Sequence, residues 1–298
     1  LSLNEVFEKG LDDSLRINLP SISSNMGAQD AFYLNGRHQL FHLGFKLGKK
    51  KKVFTYLGDE LVTDFGLHLS GDVVDYLSRG NAHFMNRQMN FDSERFEVSV
   101  YNSFYVGAVI DVNEKWNVGA RLKALTGLTN VHTEKLHLGF YTDSTSIPAY
   151  ETSLQADVNL QTSGMGLIND SLDFDPLLNS GFAVDLGVIY KPNNQMEFSF
   201  ALNDIGRINW AKENNENYTT SGQVEYVFEG LTQLSLGAED LEAQIEEITD
   251  SLSSNMELVK SSTAYGTKLN SSLFLGAKYE LSEKHSFSLL FHSRNNFD

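Results

Sequence analysis

The sequence predicts an all-β protein, an antiparallel transmembrane β-barrel of the bacterial outer membrane with long extracellular loops that carry short helices. Three observations carry this prediction. Apolar and polar residues alternate with period two over runs longer than the strands of most soluble proteins. Four of the connections are short turns of one kind. The remaining connections are long and irregular. Tight turns at one end and long loops at the other is the pattern of outer-membrane barrels.

Alternation is cleanest over 97–112, where Val98, Val100, Phe104, Val106, Ala108, Ile110 and Val112 share one face and Asn102 alone interrupts it. Val118, Ala120, Leu122 and Ala124 oppose Asn117, Gly119, Arg121 and Lys123. Phe182 to Tyr190, Met196 to Leu202 and Leu273 to Leu281 repeat the scheme. Period two over so many segments describes a half-buried antiparallel sheet. Several runs reach the ~9–11 residues that cross a bilayer at a tilt. Counting candidates gives roughly ten to twelve crossings, and single-chain bacterial barrels have an even number.

The short turns fall at 48–52, 113–115, 192–195 and 282–284, and barrel convention makes them periplasmic. Stretches 70–95, 143–150, 162–180 and 206–271 are then extracellular. A strand rising over 196–205 must return over 272–281, so 206–271 is one excursion, with a strand-like piece at Val224, Tyr226 and Phe228. The same excursion holds an acidic amphipathic helix over about 239–252, with Leu241, Ile245, Ile248 and Leu252 at helical spacing. A second helix is predicted from Asp72 to Arg79, stopped by Gly80-Asn81. Residues 1–37 read as an irregular N-terminal segment with a helical turn near Asn4 to Lys9, and the barrel domain as 38–298. Proline in Leu19-Pro20-Ser21 argues against a central strand there.

Composition narrows the function. The net charge of −16 argues against nucleic acid, whose phosphates demand a basic face. Cysteine is absent, which removes disulfide frameworks, thiolate metal sites and Cys nucleophiles. No run approaches the ~18 apolar residues of a membrane helix. A mean hydropathy of −0.27 is no objection, because barrel strands alternate two faces. Leu1 to Glu5 lacks a basic start and an apolar run, and Asn295 to Asp298 follows a strand that needs a partner. An open edge in lipid costs several kcal/mol per unpaired backbone group, so the sequence predicts a portion of a longer barrel.

Three stretches, read in order, carry a resemblance. They are Phe65 to Asn86, with Leu77-Ser78-Arg79-Gly80-Asn81; Val118 to Asp143, with Gly127-Leu128-Thr129-Asn130-Val131 and Leu138-Gly139-Phe140-Tyr141-Thr142-Asp143; and Phe198 to Trp210, with Leu202-Asn203-Asp204-Ile205-Gly206. Together they resemble a family of Bacteroidota outer-membrane β-barrel proteins whose domain has no assigned function. Its general plan is similar to the FadL-like barrels. The resemblance covers most of 38–292 and brings no catalytic residues with it.

The charges predicted to face the lumen are Arg121, Lys123, Asp157, Asp185, Glu197, Lys278 and Glu280. They suit either a selective pore or a cross-barrel ion-pair network that plugs the interior, and mixed charge favours the plug. Asp170, Asp173 and Asp175 cluster in an outer loop, but their spacing matches no standard Ca²⁺ loop and lacks the bidentate Glu. His38 and His42 share a strand face by their spacing, and neither they nor His132 and His137 form a zinc pattern. Lys49 to Lys52 reads as a solvated turn. Trp116, Tyr105, Tyr190 and Tyr279 fit an interfacial aromatic girdle. No triad, phosphate loop or carboxylate dyad points to an enzyme, and no cofactor is called for.

The expected role is a structural or accessory subunit of an outer-membrane complex for secretion or assembly. Leu241, Ile245, Ile248 and Leu252 are the expected partner-facing surface. A FadL-like transporter or porin for hydrophobic or small solutes is the alternative. Expected partners are outer-membrane lipid, lipopolysaccharide and other outer-membrane proteins.

Overall fold

The computed structural model describes residues 7–9, 15–26, 30–48, 52–92, 94–145, 151–165, 177–220, 224–228, 258–282 and 284–295. The strands are β1 (Phe7–Lys9), β2 (Leu15–Ile17), β3 (Asp30–Leu47), β4 (Val53–Leu69), β5 (Gln88–Phe91), β6 (Arg95–Asp111), β7 (Trp116–Thr142) and β8 (Thr152–Ser163). They continue as β9 (Ser180–Asn193), β10 (Met196–Trp210), β11 (Asn217–Thr220), β12 (Val224–Phe228), β13 (Leu258–Ser261), β14 (Tyr265–Lys268), β15 (Ser272–Ser282) and β16 (His285–Arg294). Among the described residues two α-helices accompany them, α1 (Leu19–Asn25) and α2 (Gly71–Arg79). No helix among the described residues is long and apolar enough to cross a membrane, which says nothing of strands.

Eight long strands form one antiparallel wall in the order β3-β4-β6-β7-β9-β10-β15-β16. This all-β sheet curls into a half-barrel. The four expected short turns join β3 to β4, β6 to β7, β9 to β10 and β15 to β16. The predicted return of 196–205 through 272–281 is the observed pairing, Met196 opposite Tyr279 and Leu202 opposite Leu273. Among the described residues the wall has eight strands rather than ten to twelve, and β7 serves two layers. Its first half lies between β6 and β9, and its second half continues beyond the wall to pair with β5 and β8. The extra strand-like pieces join that upper layer. β11 and β12 pair with β8, β13 with β11, and β14 with the end of β10.

Alternation decides the faces. Phe104, Val106, Ile110, Val118, Leu122, Phe182, Leu186, Phe198 and Leu275 project outward and are exposed. The core sits inside the curl, where Val62, Tyr101, Leu125, Ala183, Ile208, Trp210 and Leu269 pack together. A second cluster, Tyr76, Phe84, Met89, Phe91, Phe140 and Leu154, fastens α2 to the upper layer. The helix starts at Ser70, whose hydroxyl accepts from Val73 N–H, and stops at Gly80 with φ 72°. That is the predicted helix, begun one residue early.

The N-terminal reading needs correction. The first wall strand starts at Asp30, not at 38, with Phe32 and Leu34 outward and Tyr33, Asn35 and Arg37 inward. Phe7–Lys9 is a short strand paired with Leu15–Ile17 instead of a helical turn. Pro20 sits in the first turn of α1, where its missing N–H costs nothing. Among the described residues, β3 pairs only with β4 and β16 only with β15. Adjacent residues of β16 are accordingly open on both faces, Leu289 at 74% and Leu290 at 66% exposure.

Candidate functional site: a charged layer across the interior

Halfway up the wall, inward side chains of five strands meet in one ionic layer. Arg121 on β7 and Asp185 on β9 are register partners and form an ion pair. Lys123, two residues up the same inner face, lies 2.9 Å from Asp185 Oδ1 and 2.5 Å from Asp204 Oδ1. Arg37 on β3 reaches Asp204 Oδ2 at 2.5 Å and Glu60 Oε1 on β4 at 3.2 Å. The Asp204 N–H donates to Asp185 Oδ1 at 2.8 Å. Lys123 and Asp204 are each only 3% exposed. Three cations face three carboxylates, so the layer is close to neutral, the condition under which charges survive burial.

Asp204 enters this layer through a backbone irregularity. A register shift separates Leu202 from Ile205, and Asp204 takes a left-handed φ of 61° inside it. Aspartate tolerates that region better than most residues. The bulge turns inward a carboxylate that strict alternation would have aimed outward.

Two further tiers continue the seal. Above the layer lies the apolar core, then Asp64, which accepts from Asn35 at 2.9 Å, Arg294 at 2.8 Å and Asn270 at 3.3 Å. Below it, the Arg121 guanidinium stacks over the Tyr105 ring at 4.8 Å. The Tyr105 hydroxyl accepts from Gln39 at 3.0 Å and lies 3.1 Å from His42 Nδ1. Rings fill the β3–β6 side at glycines, for a Cβ on Gly44, Gly58 or Gly107 would strike Phe54, Tyr105 or Tyr56. The facing side is lined by Gly119, Gly187, Ser199 and Ala201, and a cleft of about 350 Å³ remains there.

The predicted lumen charges thus divide. Arg121, Lys123 and Asp185 join the layer. Glu197, Lys278 and Glu280 sit at the rim by the short turns, with Lys191–Glu197 at 3.1 Å and Lys278–Glu280 at 2.6 Å. Asp157 lies on the upper layer, on the face of β8 opposite Leu154 and Ala156, paired with Lys135. It has no part in the interior network, because its register partner is His137, on the portion of β7 beyond the pairing with β6. Asp170, Asp173 and Asp175, and the helix residues Leu241, Ile245, Ile248 and Leu252, lie outside the described residues. Among the described residues no three His, Asp or Glu side chains gather to hold a metal.

Two aromatic and histidine expectations change. Trp116 and Tyr190 stack at 4.3 Å beside the short turns, and Tyr279 faces outward near them. Tyr105 instead points inward and is buried, so it is no part of a girdle. His38 and His42 do not share a face, because a bulge at Leu40 turns the strand between them. His38 looks out and His42 looks in.

Curled antiparallel wall, apolar exterior and ionic interior define the chain as a β-barrel-type protein. Residues 1–296 match the model of a family described as a family of unknown function, DUF5723, and the chain belongs to that family. No curated protein and no solved structure matches it.

Proposed function

We propose that this chain builds the wall of an outer-membrane β-barrel that serves as a structural or accessory subunit of an outer-membrane assembly, of the secretion or assembly kind. The observation that carries the reading is the interior. A pore needs a continuous polar path, whereas here the ionic layer and the Trp210–Tyr101 core close the section one above the other. The outward band supports membrane placement, since Phe104, Val118, Phe182, Phe198 and Leu275 would each be a liability in water and a fit in lipid. Outer-membrane lipid and lipopolysaccharide are its immediate surroundings in this reading, and the Bacteroidota setting rests on the three stretches of sequence resemblance.

In lipid the free edges of β3 and β16 must be covered. β3 runs toward the turn end and β16 away from it, so only an even number of intervening strands, zero included, closes the wall with antiparallel pairing. A FadL-like transport role is the second reading, favoured by the cleft below the charged layer. Reconstitution into planar bilayers discriminates the two. The accessory-subunit reading expects no stepwise conductance and heat-modifiable gel mobility. Steady conductance or uptake of a hydrophobic solute would replace it with transport.

A further inference from the structure

Away from the turn end, the outward apolar surface gives way to polar residues on three neighbouring strand positions. On β9 it ends at Phe182, and Ser180 follows. On β10 it ends at Ile205, and Arg207 and Asn209 follow. β14 continues along β10 where β15 leaves it, so the third position ends at Leu273 and continues with Lys268. Arg207 lies eleven residues beyond Met196, and the bulge after Leu202 takes up one of them. Ten steps of about 2.5 Å, the climb of a strand tilted by about 40°, raise it about 25 Å, the height of a barrel's apolar band. In the membrane reading this is the headgroup level of the outer leaflet.

Two cations meet there. Arg207 and Lys268 are register partners on the outward face, and both are exposed. Like charges directly opposite on a ladder repel. Among the described residues no carboxylate pairs with Arg207. Its guanidinium lies over Gly266, where an added Cβ would stand 2.5 Å from Nη2 and 3.3 Å from Asn209 Oδ1. The glycine leaves a flat seat for the fork. Phe182, the register partner of Arg207 on β9, and Ile205, one row toward the turn end, are both exposed beside it.

We propose that Arg207 and Lys268 hold the phosphate of an outer-leaflet glycolipid, the lipid A portion of lipopolysaccharide, with its acyl chains along Phe182 and Ile205. The proposal rests on the membrane reading above. A single cation at a membrane interface needs only water around its head. Two that face each other across a ladder, one of them seated on a glycine, fit a shared anion. A phosphate monoester carries about −1.5 to −2 charges at pH 7. The guanidinium fork takes two of its oxygens in parallel, and the lysine supplies a point charge to the third.

Native mass spectrometry in detergent tests this with three probes: phosphorylated lipid A, the same lipid after phosphatase treatment, and inorganic phosphate. The phosphorylated lipid should bind at least tenfold more tightly than the dephosphorylated one. Arg207→Gln with Lys268→Gln should abolish that preference, and Lys135→Gln, a cation on the upper layer, should leave it intact. If the double variant loses heat-modifiable mobility, Gly266→Ala takes its place. It keeps both charges but displaces the guanidinium, and should cut the preference severalfold. Equal binding of the two lipids, a preference that survives these substitutions, or displacement of the lipid by an equal concentration of inorganic phosphate overturns the proposal. A heat-modifiable protein without the preference counts against the site alone. Absence of heat-modifiable mobility in the unaltered protein counts against the membrane reading, and the site falls with it.

Discussion

Arg37 and Asp204 stand 167 residues apart in the chain and meet at 2.5 Å across the interior of the sheet. Their contact ties the first wall strand to the sixth, and Lys123 completes it from a third. Asp204→Asn removes the negative charge from a buried group that two cations address. The expected loss is about 3–5 kcal/mol, the usual result of breaking a buried pair on one side. Urea unfolding of the refolded protein, followed by tryptophan fluorescence, measures it. Lys123→Met together with Asp204→Asn should recover much of the loss, because one cation leaves with the carboxylate and asparagine keeps the left-handed φ of 61°.

Gly127 and Trp210 are a shape-matched pair. A Cβ on Gly127 would run into the indole, which is fully buried and donates from Nε1 to Thr267 at 2.9 Å. Gly127→Ala should cost about 1–3 kcal/mol by overpacking. Trp210→Ala should cost about 3–5 kcal/mol through the cavity it leaves. The double variant should cost less than the sum, since the new methyl occupies space the ring vacates. Denaturant midpoints of the three variants check this.

Ser70 holds two elements at once. Its hydroxyl accepts from Val73 N–H at 3.3 Å and donates to Glu94 at 2.6 Å. Ser70→Ala should therefore exceed the ordinary cap loss of about 1 kcal/mol, because the same hydroxyl also donates to the buried Glu94, which keeps the Ser70 N–H at 3.3 Å. Hydrogen exchange should report the loss at 73–76 while the amides of the wall keep their protection.

Much of the wall was legible because its cause is local. Alternation such as Val98, Val100, Phe104 and Val106 needs only a sheet with two unlike sides, and the four turns announce themselves by composition. The predicted helix at Asp72 was equally readable, since Ser70 and Gly80 mark its ends. What escaped was everything that depends on a bulge. The one at Leu40 separates His38 from His42, and the one after Leu202 turns Asp204 inward. Each shifts the parity of all that follows, and no residue pattern signals it. Arg37 and Glu60 were missed for a second reason. An inward polar residue on a strand is unremarkable until the curl brings distant strands together. Asn35 and Arg37 opposite Phe32 and Leu34 were a usable signal for the start of β3 at Asp30.

Outside the wall, Glu216 predicts a local response to acid. Its carboxylate lies 2.7 Å from Lys260 Nζ and accepts from the Tyr218 hydroxyl at 2.9 Å. The Lys260 hydrogen bond, then that of Tyr218, holds the carboxyl below its ordinary range. A depressed carboxylate stabilises the folded form above its unfolded pKa, and the contribution is lost as pH falls through the folded value. The affected window therefore opens below about pH 4.3, the ordinary glutamate value. The pair is solvent-exposed and salt-screened, so the effect is confined to its own strands. Protection factors at 217–220 and 258–261, taken relative to intrinsic exchange at each pH, should fall on acidification through that window more in the unaltered protein than in Glu216→Gln. The difference between the two should shrink at high salt, and an equal fall at low salt would remove Glu216 as the cause.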